Sequence, residues 1–107
     1  MKRAELKQLL SELRSGLELL YPGRVRGLYL YGSYARAEED AESDVDTLVV
    51  LDRVPSYGEE IERTSRLVSE LSLRHSVSLS RLFVDEAAWA LRGDPFLENV
   101  RSEALAA

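Results

Sequence analysis

The chain of 107 residues contains no cysteine. A disulfide scaffold, a Cys-ligated zinc centre and a cysteine nucleophile are excluded. Long hydrophobic runs are missing too. The aliphatic stretch Leu48–Leu51 covers four residues, against about twenty for a membrane-spanning helix. The segment Met1-Lys2-Arg3-Ala4-Glu5 has no apolar core of the secretory type. Basic charge is in deficit: 14 Lys and Arg face 19 Asp and Glu, a net charge of −5. That balance argues against broad binding to nucleic acid or anionic membrane, but not against a local Arg and a metal gripping one phosphate group. The length predicts one domain over residues 1–107 with one compact core. A cytoplasmic protein is the expectation.

What is present reads as alternating helices and strands. Leu6, Leu9, Leu10, Leu13, Leu17 and Leu20 fall at helical spacings and form one apolar stripe. Pro22-Gly23 ends that helix. Val25 to Tyr31 reads as a strand that runs into Gly32-Ser33, with a short helix expected over Tyr34 to Ala37. Glu38 to Asp46 is an acidic loop leading into a second strand, Val45 to Leu51, apolar enough past Thr47 to be buried on both faces. A second long helix is expected over Glu59 to Arg74, with Ile61, Val68 and Leu71 inward. A third strand follows over Val77 to Val84. Asp85 is placed to cap a helix from Glu86 to Arg92, and a last helix is expected over Phe96 to Ala104. The fold class is α/β (α+β): a small mixed sheet of about three strands covered by helices.

The chemistry lies between Leu28 and Asp52. Gly32-Ser33 is followed, after ten residues, by Asp44-Val45-Asp46. Side chains two apart on a strand share a face, so Asp44 and Asp46 set two carboxylates side by side. They repel unless a cation lies between them, and Mg²⁺ suits such a pair because it takes oxygen ligands from carboxylates and substrate phosphates. Gly32 permits a close backbone approach. Ser33 and the amides after it offer donors to an anion, and Arg36 adds charge nearby. By composition, a Gly-Ser pair with Asp-x-Asp at one fixed distance is expected about 0.002 times by chance.

These residues resemble a known family. Gly32-Ser33-Tyr34-Ala35-Arg36 and Ser43-Asp44-Val45-Asp46 are similar to the signature of minimal nucleotidyltransferases (MNT), in the DNA polymerase β-like nucleotidyltransferase superfamily. The tail Pro95 to Glu103 is also similar to small prokaryotic members. The resemblance implies a polymerase β-like core over nearly the whole chain. It implies that Gly32 and Ser33 contact the triphosphate of ATP, assisted by Arg36. It implies that Asp44 and Asp46 are both catalytic and metal-binding, holding Mg²⁺ for in-line attack on the α-phosphate. Small stand-alone members are commonly the antitoxin of a HEPN/MNT toxin–antitoxin pair, and some adenylylate a tyrosine of the helical HEPN toxin.

Two functions follow from the resemblance. One is AMP transfer from ATP to a protein hydroxyl, a Tyr of a HEPN-type partner. The other is a catalytically weak or inactive module that neutralises its partner by occlusion. Transfer to a small molecule ranks below both, because such relatives usually carry an extra domain for the acceptor.

Two departures from the family pattern matter. Ala37 stands where relatives often carry Gly, which is harmless in a helical turn and costly at positive φ. Active members also place a third carboxylate on a later strand. Val77 to Val84 offers Ser78 and Ser80 on one face and no acid; Asp85 and Glu86 lie just past its end. Tyr34 suits base stacking or helix packing equally. Glu38, Glu39, Asp40 and Glu42 read as solvated, and His75 as a structural residue at a helix end.

Overall fold

The computed structural model describes residues 1–107. Helix α1 spans Arg3–Leu20, strand β1 Val25–Tyr31, strand β2 Val45–Leu51 and helix α2 Tyr57–His75. Strand β3 spans Leu79–Asp85, helix α3 Glu86–Ala90, helix α4 Pro95–Glu103 and strand β4 Leu105–Ala106. The sheet has four strands in the order β3-β2-β1-β4, one more than the expected three. β1 pairs antiparallel with β2 and β4, while β2 and β3 run parallel, linked through α2.

The apolar run of β2 makes this a three-layer structure. Leu48, Val49, Val50 and Leu51 are all buried. Val45, Val49 and Leu51 meet Leu9, Leu13 and Leu17 of α1 and Val68 and Leu71 of α2. Leu48 and Val50 point the other way, onto Val100 of α4, with Trp89, Tyr29 and Tyr31 around them. Tyr29 and Trp89 rings lie 5.1 Å apart, and the Arg101 guanidinium sits 4.5 Å over the Trp89 ring.

Helix α2 has a less regular stripe because two of its inward residues are polar. Glu60 is 1% exposed and Thr64 fully buried. Glu60 accepts from the Tyr21 hydroxyl at 2.8 Å and from Arg63 at 2.6 Å. Thr64 donates to the Glu60 carbonyl at 2.9 Å and accepts from Arg81 Nε at 3.0 Å. No buried side-chain polar atom lacks a partner, as a stable core requires. The helix ends at Ser76, whose φ of 51° is left-handed, so the strand expected from Val77 begins at Leu79. His75 is tucked against α1, with Nε2 at 3.2 Å from Glu12. No helix is long and apolar enough to cross a membrane.

The short helix expected over Tyr34 to Ala37 does not form; Ser33 to Ala37 is a run of hydrogen-bonded turns. Ala35 and Arg36 amides both donate to the Gly32 carbonyl, at 3.1 and 3.2 Å. Ala37 then turns left-handed, with φ of 58°, which stops helical propagation. The costly case for alanine at this position is therefore the one the structure adopts.

Candidate active site

The Gly32 turn and the Asp44–Asp46 segment meet because β1 and β2 are antiparallel. Tyr31, the last residue of β1, stands opposite Asp46, the second residue of β2. Gly32 has φ of 75°, and a Cβ built there would lie 2.3 Å from Asp46 Oδ2. Glycine is needed here twice over: for the left-handed backbone and for the space that the carboxylate takes. Asp46 is half-buried and Asp44 exposed just before the strand. Burial pushes the Asp46 carboxyl above its ordinary range, the Asp44 charge adds to this, and Arg36 opposes it.

Ser33 and Tyr34 follow Gly32 in the turn. Their backbone N–H groups donate to no group of the chain, and two adjacent free amides in a turn suit an anion. The Tyr34 ring is buried in the main core beside α1, which favours the packing role over base stacking. Glu38, Glu39, Asp40 and Glu42 are exposed, as expected. Asp40 orders this loop: its Oδ1 accepts from the Glu42 amide at 2.8 Å.

No group of three or more acidic or His side chains converges. The site thus offers Asp44 and Asp46 as its carboxylate pair, and beyond the burial that chiefly raises the Asp46 carboxyl, the Asp44 charge adds a repulsion that a cation between them would relieve. Oxygen donors from two carboxylates fit a hard divalent ion that completes its shell with water and phosphate oxygens.

The strand beside Asp46 supplies no acid. Ser80 pairs with Asp46 across β2 and β3. Asp85 pairs with Leu51, five residues further along, or about 16 Å at ~3.3 Å per residue. Its carboxylate caps α3, accepting from the Ala88 amide at 2.7 Å. Glu86 pairs with Arg26 at 3.4 Å. Neither reaches Asp46.

One residue at the site escaped the sequence reading. Glu103, the last residue of α4, accepts from Gly32 N–H at 2.9 Å and from Arg36 Nη1 at 2.8 Å. Those contacts, the Arg36 guanidinium first, lower its carboxyl below the ordinary range. Arg36 also meets Glu38 at 3.4 Å. The only sequence signal for Glu103 was its place in the tail that resembles small prokaryotic members.

A mixed sheet with a Gly-Ser turn ending one strand and Asp44 and Asp46 opening its antiparallel neighbour fits the nucleotidyltransferase fold that the sequence resemblance implies. Comparison of the sequence gives the same answer. Residues 7–89 match the model of the nucleotidyltransferase domain, and the chain belongs to that family. Two proteins of Methanocaldococcus jannaschii, each provisionally named a protein adenylyltransferase, are similar to it. One is 28% identical over 76 residues, covering 71% of this chain and 76% of the relative. The other is 36% identical over 73 residues, covering 66% and 71%. A crystal structure of a provisionally named nucleotidyltransferase from Sulfolobus solfataricus superposes with a TM-score of 0.61 at 16% identity. It covers 99% of this chain and 87% of its own; at that identity the likeness is one of fold.

Proposed function

We propose that this chain transfers AMP from Mg²⁺-bound ATP to a protein hydroxyl, a tyrosine of a small helical HEPN-type partner, and so acts as an antitoxin. The observation that carries the reading is the close approach of Gly32 to Asp46, which sets the phosphate turn against the carboxylate pair. The names of the M. jannaschii relatives support protein adenylyl transfer. Asp44 and Asp46 would hold Mg²⁺, which supplies charge stabilisation and orientation when bound. Ser33, with the free amides of the turn, receives phosphate oxygens; Gly32 makes the approach possible; Arg36, paired with Glu103 and Glu38, assists as the one basic residue of the turn. The acceptor oxygen attacks the α-phosphorus in line, the bond to the β-phosphate oxygen breaks, pyrophosphate leaves, and the hydroxyl proton passes to solvent. Such transfer depends on positioning and on charge stabilisation more than on covalent participation of the protein.

A second reading has one observation in its favour. The later strand on which active relatives are expected to carry a third acid sets Ser80 beside Asp46 and brings no acid to it. A general base contributes about 10²–10⁴ in rate, so a site without one suits a module that neutralises its partner by occlusion. Co-expression with the helical partner separates the two. AMP transfer predicts that Asp44→Asn/Asp46→Asn still binds the partner but no longer rescues growth. Full rescue by the double variant would establish occlusion.

A further inference from the structure

We infer that Glu103 is a positioning residue, its carboxylate tying Gly32 and Arg36 together so that the turn between them keeps the shape that receives a phosphate. The phosphate part of this inference rests on the proposed nucleotide site.

The turn has little else to hold it. Residues 32–38 lie between β1 and the acidic loop, outside helix and strand. Their internal bonds run from Ala35 and Arg36 to the Gly32 carbonyl, from Ala37 to Tyr34 and from Glu38 to Ser33. Tyr34 anchors the turn to the core through its ring, with Ala35 packed beside it. Glu103 is the second anchor, and it grips both ends of the turn: one oxygen on the Gly32 amide, the other on the Arg36 guanidinium. Hydrogen bonds to a carboxylate are stronger than neutral ones.

The base from which Glu103 reaches is fixed on both sides. Three residues earlier, Val100 is buried against Leu48 and Val50. Two and three residues later, Leu105 and Ala106 pair with Leu30 and Tyr29 of β1, and the Ala107 amide donates to the Leu28 carbonyl at 2.9 Å. Glu103 therefore comes to Gly32 from the β4 side of β1, while Asp46 lies on the β2 side. The Gly32 N–H is committed to Glu103, and the amides of Ser33 and Tyr34 are the ones left for an anion. Arg36 acts on a nucleotide through the shape of the turn as well as through its charge. The Glu103 side chain is 24% exposed and Arg36 43% exposed, so the tie can be probed without opening the core.

The test pairs two readouts on Glu103→Gln and Glu103→Ala: exchange of the Gly32 amide in the free protein, and the dissociation constant for Mg²⁺-ATP by calorimetry. Glu103→Gln keeps an acceptor for Gly32 and is nearly isosteric, so it guards against loss of folding. The Gly32 amide is expected to be protected in the wild type and in Glu103→Gln, and exposed in Glu103→Ala. The dissociation constant is expected to rise about tenfold in Glu103→Ala and by less in Glu103→Gln. In Arg36→Ala/Glu103→Ala the second change should add little, because the two act as a unit. Unchanged or tighter ATP binding in Glu103→Ala would overturn the inference, since a carboxylate that merely blocked the phosphate site would tighten binding on removal. Unaltered Gly32 exchange would overturn it as well. A wild type that binds no ATP would remove the proposed function; loss of Gly32 protection in Glu103→Ala would then still support the tie.

Discussion

The close approach of Gly32 to Asp46 makes a quantitative prediction when Gly32 is compared with Gly23. Both are left-handed, with φ of 75° and 71°. A Cβ at Gly23 would meet nothing within 4 Å, whereas one at Gly32 would lie 2.3 Å from Asp46 Oδ2. Alanine in the left-handed region costs about 1–2 kcal/mol, and the stiffer unfolded chain returns about 0.4–1 kcal/mol. Gly23→Ala should thus lose about 1 kcal/mol, a fall in Tm of about 4–8 °C for a domain of this size. Gly32→Ala bears the same backbone cost and must also push the Asp46 carboxylate back by about 1 Å to reach ordinary van der Waals contact. A misplacement of about 1 Å at a reacting centre costs about 10²-fold in rate. Thermal melts and transfer of AMP from ATP should therefore separate the two variants. Both melt earlier than wild type, but only Gly32→Ala loses transfer by about 10²-fold. Equal activities in the two alanine variants would refute the reasoning that Gly32 exists to admit Asp46.

Other outcomes follow from the same geometry. Ala37→Gly relieves a left-handed alanine and should raise stability by about 0.5–1 kcal/mol, read as a higher Tm; a lower Tm would contradict the dihedral. Val100→Ala removes two buried methyl groups from the core under α4 and should cost about 2 kcal/mol in denaturant melts; a neutral result would mean that α4 is not fastened there. Glu12 is held down to about 2 by hydrogen bonds from Gln8, His75 and Arg74. Because its folded value is depressed, its contribution is complete above its ordinary value near 4.5 and fades as pH falls toward 2. The stability gap between wild type and Glu12→Gln should accordingly close over that window, and a gap that persists at pH 2 would count against the helix-to-helix cluster.

Much of the fold was legible because its strongest element is its simplest. The apolar run after Thr47 identified β2 as a central strand, and Leu9, Leu13 and Leu17 of the leucine stripe are its buried partners. The contact between the Gly32 turn and Asp46 was legible for a different reason: a fixed spacing between Gly-Ser and Asp-x-Asp becomes a spatial contact when two antiparallel strands pair as β1 and β2 do. The parts that escaped depend on distant residues. The two-residue strand Leu105–Ala106 has no periodicity to read, and exists because β1 offers an open edge. The helix expected after Ser33 fails at Ala37, where the backbone turns left-handed. Glu60 and Thr64 broke the apolar stripe of α2, and only the packing of Tyr21 and Arg81 against them explains why they are inside. Glu103 lies 71 residues from Gly32, beyond any local pattern.

The central claim is that Asp44 and Asp46 support nucleotidyl transfer. The most direct test is incubation of the chain and its co-purified partner with ATP labelled at the α-phosphate, with Mg²⁺ or with a chelator, beside Asp44→Asn/Asp46→Asn. The account predicts label on a partner tyrosine that requires Mg²⁺ and vanishes in the double variant. No label from the wild type, with the partner still bound and silenced, would contradict it.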